Sequence, residues 1–192
     1  MAVNVSPSQL TDPDFVNLVA DMLRETGLRP GQLSMEVGEP SMSTDRGALV
    51  AVLNALREVG VRLAVDGFGA GSSSLAVLRH LPLDWVKIDE ALVRSVAVES
   101  TDAVLMRLVI KSAHCLGLRV CAQGADRHAQ LEQLATMGCD AVQGHLLGGP
   151  VEVELLDTRT HSARRLVVPN ARRQRRTCAE HLVAVVRDLG RS

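Results

Sequence analysis

Two hydrophobic periods alternate along the chain from its first residues. AVNVS (2 to 6) is short and β-branched, and beyond the turn residues of TDPD apolar positions recur at Phe15, Leu18, Val19, Met22 and Leu23. That i, i+3, i+4, i+7, i+8 spacing marks one face of a helix, with Gly27 at a C-cap position. The unit then repeats. QLSMEV (32 to 37) reads as a strand, Ser43, Thr44 and Asp45 offer N-caps, Leu49, Val52, Leu53, Leu56 and Val59 supply a helix stripe, and Gly60 ends it. RLAVDGF (62 to 68) predicts a third strand, followed by a glycine loop and a short helix in SLAVLRHL, and WVKID (85 to 89) predicts a fourth. A long helix around 101 to 116, built on Val104, Leu105, Leu108, Val109 and Leu116, stops at Gly117. RVCAQG (119 to 124), the helix RHAQLEQLATMG and the strand AVQGH (141 to 145) complete the series.

Six short apolar strands alternating with helices predict parallel βα units whose strands are buried on both faces. A (β/α) barrel and a doubly wound sheet both satisfy this pattern, and both collect polar residues at the C-terminal ends of the strands. Beyond Pro150 neither period is sustained until AEHLVAVVRDLG (179 to 190), which reads as one amphipathic helix. The chain therefore divides into an α/β unit over 1–150 and an arginine-rich linker with a C-terminal helix over 151–192.

Composition narrows the picture only slightly. The 192 residues are 46% hydrophobic and 22% charged with a formal net charge of −1. That balance gives the whole chain no electrostatic reason to bind DNA or an anionic membrane. Six arginines (Arg164, Arg165, Arg172, Arg173, Arg175 and Arg176) crowd one acid-free stretch. With two Phe, one Trp and no Tyr in the chain, there is no aromatic interleaving for base stacking. Nucleic acid is thus disfavoured as a partner, and a solvated arm is the ordinary reading of such a run. The four cysteines lie far apart without CxxC spacing, which argues against a zinc site or a disulfide framework and for a reducing, cytoplasmic setting. No stretch approaches the length of a membrane-spanning helix.

Collecting the polar residues at strand C-termini gives Asn4, Glu36 with Glu39, Asp66, Lys87 with Asp89, Gln123 with Asp126, and Gln143. Oxygen and ammonium groups in such a ring suit a hard cation, Mg²⁺ or Mn²⁺, and a phosphorylated substrate. Each residue taken singly also fits a helix cap.

The segments VNVSPSQLTDPDF, LSMEVGEPSM, LAVDGFGAGSSSLAVLRHLPLDWVKID and GLRVCAQGADRHAQLEQLATMGCDAVQGHLLGGP together resemble the EAL domain, the bacterial phosphodiesterase domain that cleaves cyclic di-GMP to the linear dinucleotide. The resemblance runs in order from about Ala2 to Pro150. It implies a TIM-like (β/α) barrel with metal ions at the strand C-termini, here incomplete at the N-terminus because the first βα unit, which bears the Glu-Ala-Leu signature, is missing. By resemblance Asn4, Glu36 and Asp66 are metal ligands, Lys87 holds water and phosphate, Glu39 steadies the substrate loop, and Gln143 matches a substrate-binding glutamine. Two positions depart from the pattern. Gly67 stands where the family has a second loop aspartate, and Gln123 where it has the glutamate that serves the second metal or the nucleophilic water. An amide cannot act as a general base. Ala70, Ser72 and Gly149 further reduce the contacts expected for phosphate.

The resulting expectation is a catalytically degenerate EAL-type protein acting through cyclic di-GMP or through a protein partner or upstream domain. Two alternatives stand beside it: a metal-dependent phosphodiesterase completed by another chain, and an arginine-tail binder of nucleic acid or an acidic partner on a barrel scaffold. Histidines 80, 114 and 128 read as surface or core-edge residues, the cysteines as small buried apolar groups, and Trp85 as packing.

Overall fold

A computed structural model describes residues 1–39, 41, 46–71, 75–96 and 101–148. The candidate caps Ser43, Thr44 and Asp45, the departures at Ser72 and Gly149, and the whole of 151–192 lie outside the described residues. Six strands form one sheet: β1 (Ala2–Val5), β2 (Ser34–Gly38), β3 (Arg62–Phe68), β4 (Trp85–Ile88), β5 (Arg119–Gln123) and β6 (Ala141–Gln143). All neighbours pair in parallel, and their order in space is their order in sequence. A doubly wound sheet reverses direction at a switch point, whereas this order never reverses. The architecture is therefore an incomplete (β/α) barrel. The outer edges of β1 and β6 have no partner strand among the described residues.

The helices fill the predicted intervals: α2 (Phe15–Thr26), α3 (Arg46–Val59), α4 (Leu75–Leu78), α6 (Thr101–Cys115) and α7 (His128–Thr136). Two short helices, α1 (Pro7–Leu10) and α5 (Glu90–Arg94), were not expected from periodicity, because one turn is too short to show a period. Their caps carry them instead. Ser6 and Gln9 form a capping box around Pro7, and the Asp89 carboxylate accepts from Ala91 N–H at 2.8 Å. Gly27 closes α2 in the left-handed conformation at φ +69°, as its position predicts.

One expectation is corrected. The stripe Val104, Leu105, Leu108 and Leu116 does not face the core of α6; these residues are 57%, 46%, 54% and 41% exposed. Ala103, Met106, Ile110 and Ala113 are buried in their place. The helix is apolar on more than one face, so its periodicity does not by itself say which face is buried. Leu18 and Met22 of α2 are exposed in the same way, while Phe15, Val19 and Leu23 are buried. The core is dominated by the strand residues Leu63, Val65, Val86, Ile88 and Val120, each at most 1% exposed, packed against Leu53, Leu56 and Ile110 of the helices. Consecutive buried residues such as Leu63, Ala64 and Val65 are what two covered faces require.

Candidate functional site

Parallel strands carry their C-termini to one end of the sheet, so a residue late in each strand reaches a common face. β2 delivers Glu36, β3 delivers Asp66, β4 delivers Lys87 and β5 delivers Gln123, and their side chains touch. The Lys87 ammonium donates to Glu36 Oε2 at 2.5 Å and lies 3.5 Å from Asp66 Oδ1. The Gln123 amide nitrogen donates to the same Asp66 oxygen at 2.9 Å. That orientation follows from chemistry, since a carboxylate oxygen only accepts. The Lys87 and Glu36 side chains are 12% and 10% exposed and Asp66 is 28% exposed, so the pair is largely withdrawn from water. Burial draws the Lys87 pKa down, but the hydrogen bond to Glu36 and the charges of Glu36 and Asp66 outweigh it and leave the pKa raised. Lys87 is therefore a cation at neutral pH.

Asn4 is level with Glu36 in the β1–β2 register, and Gln143 with Gln123 in the β5–β6 register. Both are exposed and neither makes a side-chain hydrogen bond among the described residues. The expected ring thus divides into a joined centre of four and two outlying amides. Asp89 and Asp126 belong to the loops: Asp89 caps α5, and Asp126 accepts from His145 N–H at 3.3 Å.

Glu39, 4% exposed, turns toward the glycine loop that follows β3. Its Oε2 accepts from Gly69 N–H at 3.0 Å and Gly71 N–H at 3.3 Å. A Cβ on residue 71 would come within 2.8 Å of Glu39 Oε1, so this glycine is what permits the approach. Gly67 has φ +70° and coincides with a register irregularity between β3 and β4. A Cβ there would meet only Asp89 Oδ2, at 3.8 Å, so space remains but the backbone favours glycine.

Sequence reasoning missed Cys121, which pairs with Lys87 in register and feels its charge. Burial pushes its thiol up to about 12, against a smaller lowering by Lys87, so it is no nucleophile at neutral pH. Its place two residues before Gln123 on the same strand, hence on the same face, was the available signal. Cys139 is buried as expected, but Cys115 is exposed.

The donor set does not fit a pair of cations. Glu36 and Asp66 are the only carboxylates in the joined centre, Lys87 sits between them, and Gln123 offers Asp66 a donor. Among the described residues no group of three or more His, Cys, Asp or Glu side chains is arranged to hold a metal ion. Two-metal phosphodiester cleavage needs carboxylates for both ions. What remains suits anion binding: the ammonium has three donors, and two carboxylates engage at most two of them.

The EAL domain family model matches residues 1–150. The bifunctional diguanylate cyclase/cyclic di-GMP phosphodiesterase MucR of Pseudomonas aeruginosa is 35% identical over 156 residues, covering 81% of this chain and 23% of MucR. The chain thus spans less than a quarter of the length of that relative. Among solved structures, the EAL domain of Mycobacterium smegmatis DcpA is 34% identical with a TM-score of 0.80, covering 85% of this chain and 73% of that one. Klebsiella pneumoniae BlrP1, in a manganese and cyclic di-GMP complex, is 35% identical with a TM-score of 0.73, covering 78% and 38%. No helix among the described residues is long and apolar enough to cross a membrane.

Proposed function

The chain belongs to the EAL domain family, and from that premise we propose that it is a cyclic di-GMP signalling module that binds the dinucleotide without hydrolysing it and acts through a protein contact. One observation carries this reading: the two retained carboxylates, Glu36 and Asp66, are already partnered by Lys87 and Gln123. A carboxylate that holds a metal must present bare oxygens to it, and the family position that would supply more negative charge is occupied by Gln123. Gly67 contributes no side chain. Neither Gln123 nor a protonated Lys87 can take a proton from water, and loss of a general base alone costs about a hundred- to ten-thousand-fold in rate. The ligand's phosphates would meet the remaining Lys87 donor, and its body would lie along the glycine loop that Glu39 holds in place.

Calorimetric titration with cyclic di-GMP, with and without Mg²⁺ or Mn²⁺, tests this directly when paired with chromatography of the mixture at stoichiometric protein. Binding that is indifferent to metal, with no linear dinucleotide formed, is expected. Metal-dependent formation of linear product overturns the proposal and favours the alternative. In that alternative Asn4, Glu36 and Asp66 hold one cation and another chain supplies the missing carboxylate. The family's manganese complex supports this second reading. The third, an arginine-tail binder, concerns residues outside those described.

A further inference from the structure

The opposite end of the sheet carries a different chemistry. The turns that lead into β4 and β5 enclose a cavity of about 460 Å³ lined by Arg57, Arg79, Pro82, Asp84, Gly117 and Arg119. Three arginines and one carboxylate line it. The Asp84 carboxylate is engaged with Leu63 N–H at 2.9 Å. The next acid, Asp140, is engaged with His114 at 2.7 Å and Val120 N–H at 2.8 Å. Among the described residues none of the three arginines has a carboxylate within ion-pair distance. Arg119 is held in place by the ring of Trp85, 4.2 Å below its guanidinium carbon. Burial, with the neighbouring charge of Arg62, lowers the Arg119 pKa against a smaller raising by Asp84 and Asp140, and an added anion would act in the raising direction. A second hollow of about 400 Å³ shares Arg79 and Leu116 with the first and is walled by Leu75, Ala76 and Leu108, with Lys111 at its side. A cavity whose lining carries more arginines than carboxylates thus opens beside an apolar one.

We propose that this end binds a small organic phosphate monoester, its phosphate held by Arg57, Arg79 and Arg119 and its apolar body laid against Leu75, Leu108 and Leu116. Guanidinium forks match the oxygens of a phosphate, which as a monoester carries close to two charges at neutral pH. The apolar hollow selects an ester over the free ion. The site is separate from the cluster of Glu36, Asp66, Lys87 and Gln123, and its fate does not depend on that of the cyclic di-GMP reading.

Trp85 is the single tryptophan of the chain and reports on Arg119. The 192-residue chain is titrated with hexyl phosphate, inorganic phosphate and hexanol while Trp85 fluorescence is followed. A saturable change with hexyl phosphate is expected, with an affinity at least about tenfold above that of inorganic phosphate, given the area of alkyl chain buried. The double variant Arg57→Ala/Arg79→Ala should weaken hexyl phosphate at least about tenfold, since it removes two charge-assisted contacts. Arg94→Ala, on a residue paired with Glu90 on α5, should leave it unchanged. Circular dichroism melts establish that the variants fold. No saturable change with either phosphate, or affinity indifferent to the double variant, overturns the proposal. Equal affinity for the two phosphates overturns its apolar half, and hexanol binding as tightly as hexyl phosphate overturns its ionic half.

Discussion

The two ends of the sheet are built from the same strands yet settle their charges in opposite ways. At the C-terminal end Glu36 and Asp66 find Lys87 and Gln123 within the chain. At the N-terminal end Arg57, Arg79 and Arg119 line a cavity in which the one carboxylate is engaged elsewhere. The first centre spends its charges on one another across three strands; at the second, Arg119 stacks on Trp85 and Arg79 bonds to His80, but no arginine of the cavity has an ion-pair partner among the described residues. Stability and binding should therefore separate by end.

The sharpest way to break this contrast is Lys87→Met. It leaves two carboxylates facing each other with little water, and removing one partner of a buried ion pair costs about 3 kcal/mol. A denaturation midpoint reads the loss. Added Mg²⁺ should recover part of it in the variant and shift the parent protein little, because ligand binding stabilises only where a site is open. An equal shift in both would show that Lys87 does not stand in a cation's place. Since the Lys87 pKa is raised above its ordinary 10.5, the stabilisation by this pair is fully present below 10.5 and is lost only as pH climbs through the raised value. On the lysine side it is flat across neutral pH, so the variant should lose as much at pH 6 as at pH 8.

The double variant Gly67→Asp/Gln123→Glu sharpens the contrast from the other side by introducing the two carboxylates that the sequence resemblance implies for these positions. Without metal it should be less stable by about 2 kcal/mol, from the strain of a side chain at the Gly67 backbone conformation and from a like charge placed against Asp66. With Mn²⁺ that loss should shrink, and chromatography should detect more linear dinucleotide than with the parent. Stability unaffected by the two changes would mean that the Gln123–Asp66 bond and the Gly67 backbone carry little.

Most of this frame is legible in the sequence. The six strands, their parallel course and the gathering of Glu36, Asp66, Lys87 and Gln123 at one end followed from alternating periods and from strand direction, which are local and topological facts. The partnering was less accessible. That Lys87 lies between Glu36 and Asp66 depends on register and side-chain reach across three strands, which no window of sequence contains. The face of α6 was misread because the helix has two apolar faces, and the buried one is carried by Ala103, Met106, Ile110 and Ala113. The arginine cavity was invisible for a different reason. Arg57 lies in the last turn of α3, Arg79 follows α4 and Arg119 opens β5, and only the winding of the chain brings these three places together.

Glu39→Gln is a smaller change. The carboxylate accepts from two backbone N–H groups of the glycine loop, and charge-assisted bonds of this kind exceed their neutral counterparts by about 1 kcal/mol. The amide keeps the shape and one acceptor oxygen, so a loss of about 1 kcal/mol is expected in the denaturation midpoint. The larger effect should appear in cyclic di-GMP affinity measured by calorimetry, because a loosened loop must be ordered on binding.

The smallest stability change should come from the opposite end. Arg57 and Arg79 are exposed, and the Arg79 side chain bonds only to His80, at 2.8 Å, among the described residues. Surface substitutions away from caps, packing and networks stay within about 0.5 kcal/mol, so Arg57→Ala/Arg79→Ala should melt with the parent. If the pair instead costs as much as Lys87→Met, the guanidinium groups are partnered and the two ends are alike. A silent melt combined with a weakened phosphate monoester is the outcome that separates an end whose charges serve the fold from one whose charges serve a ligand.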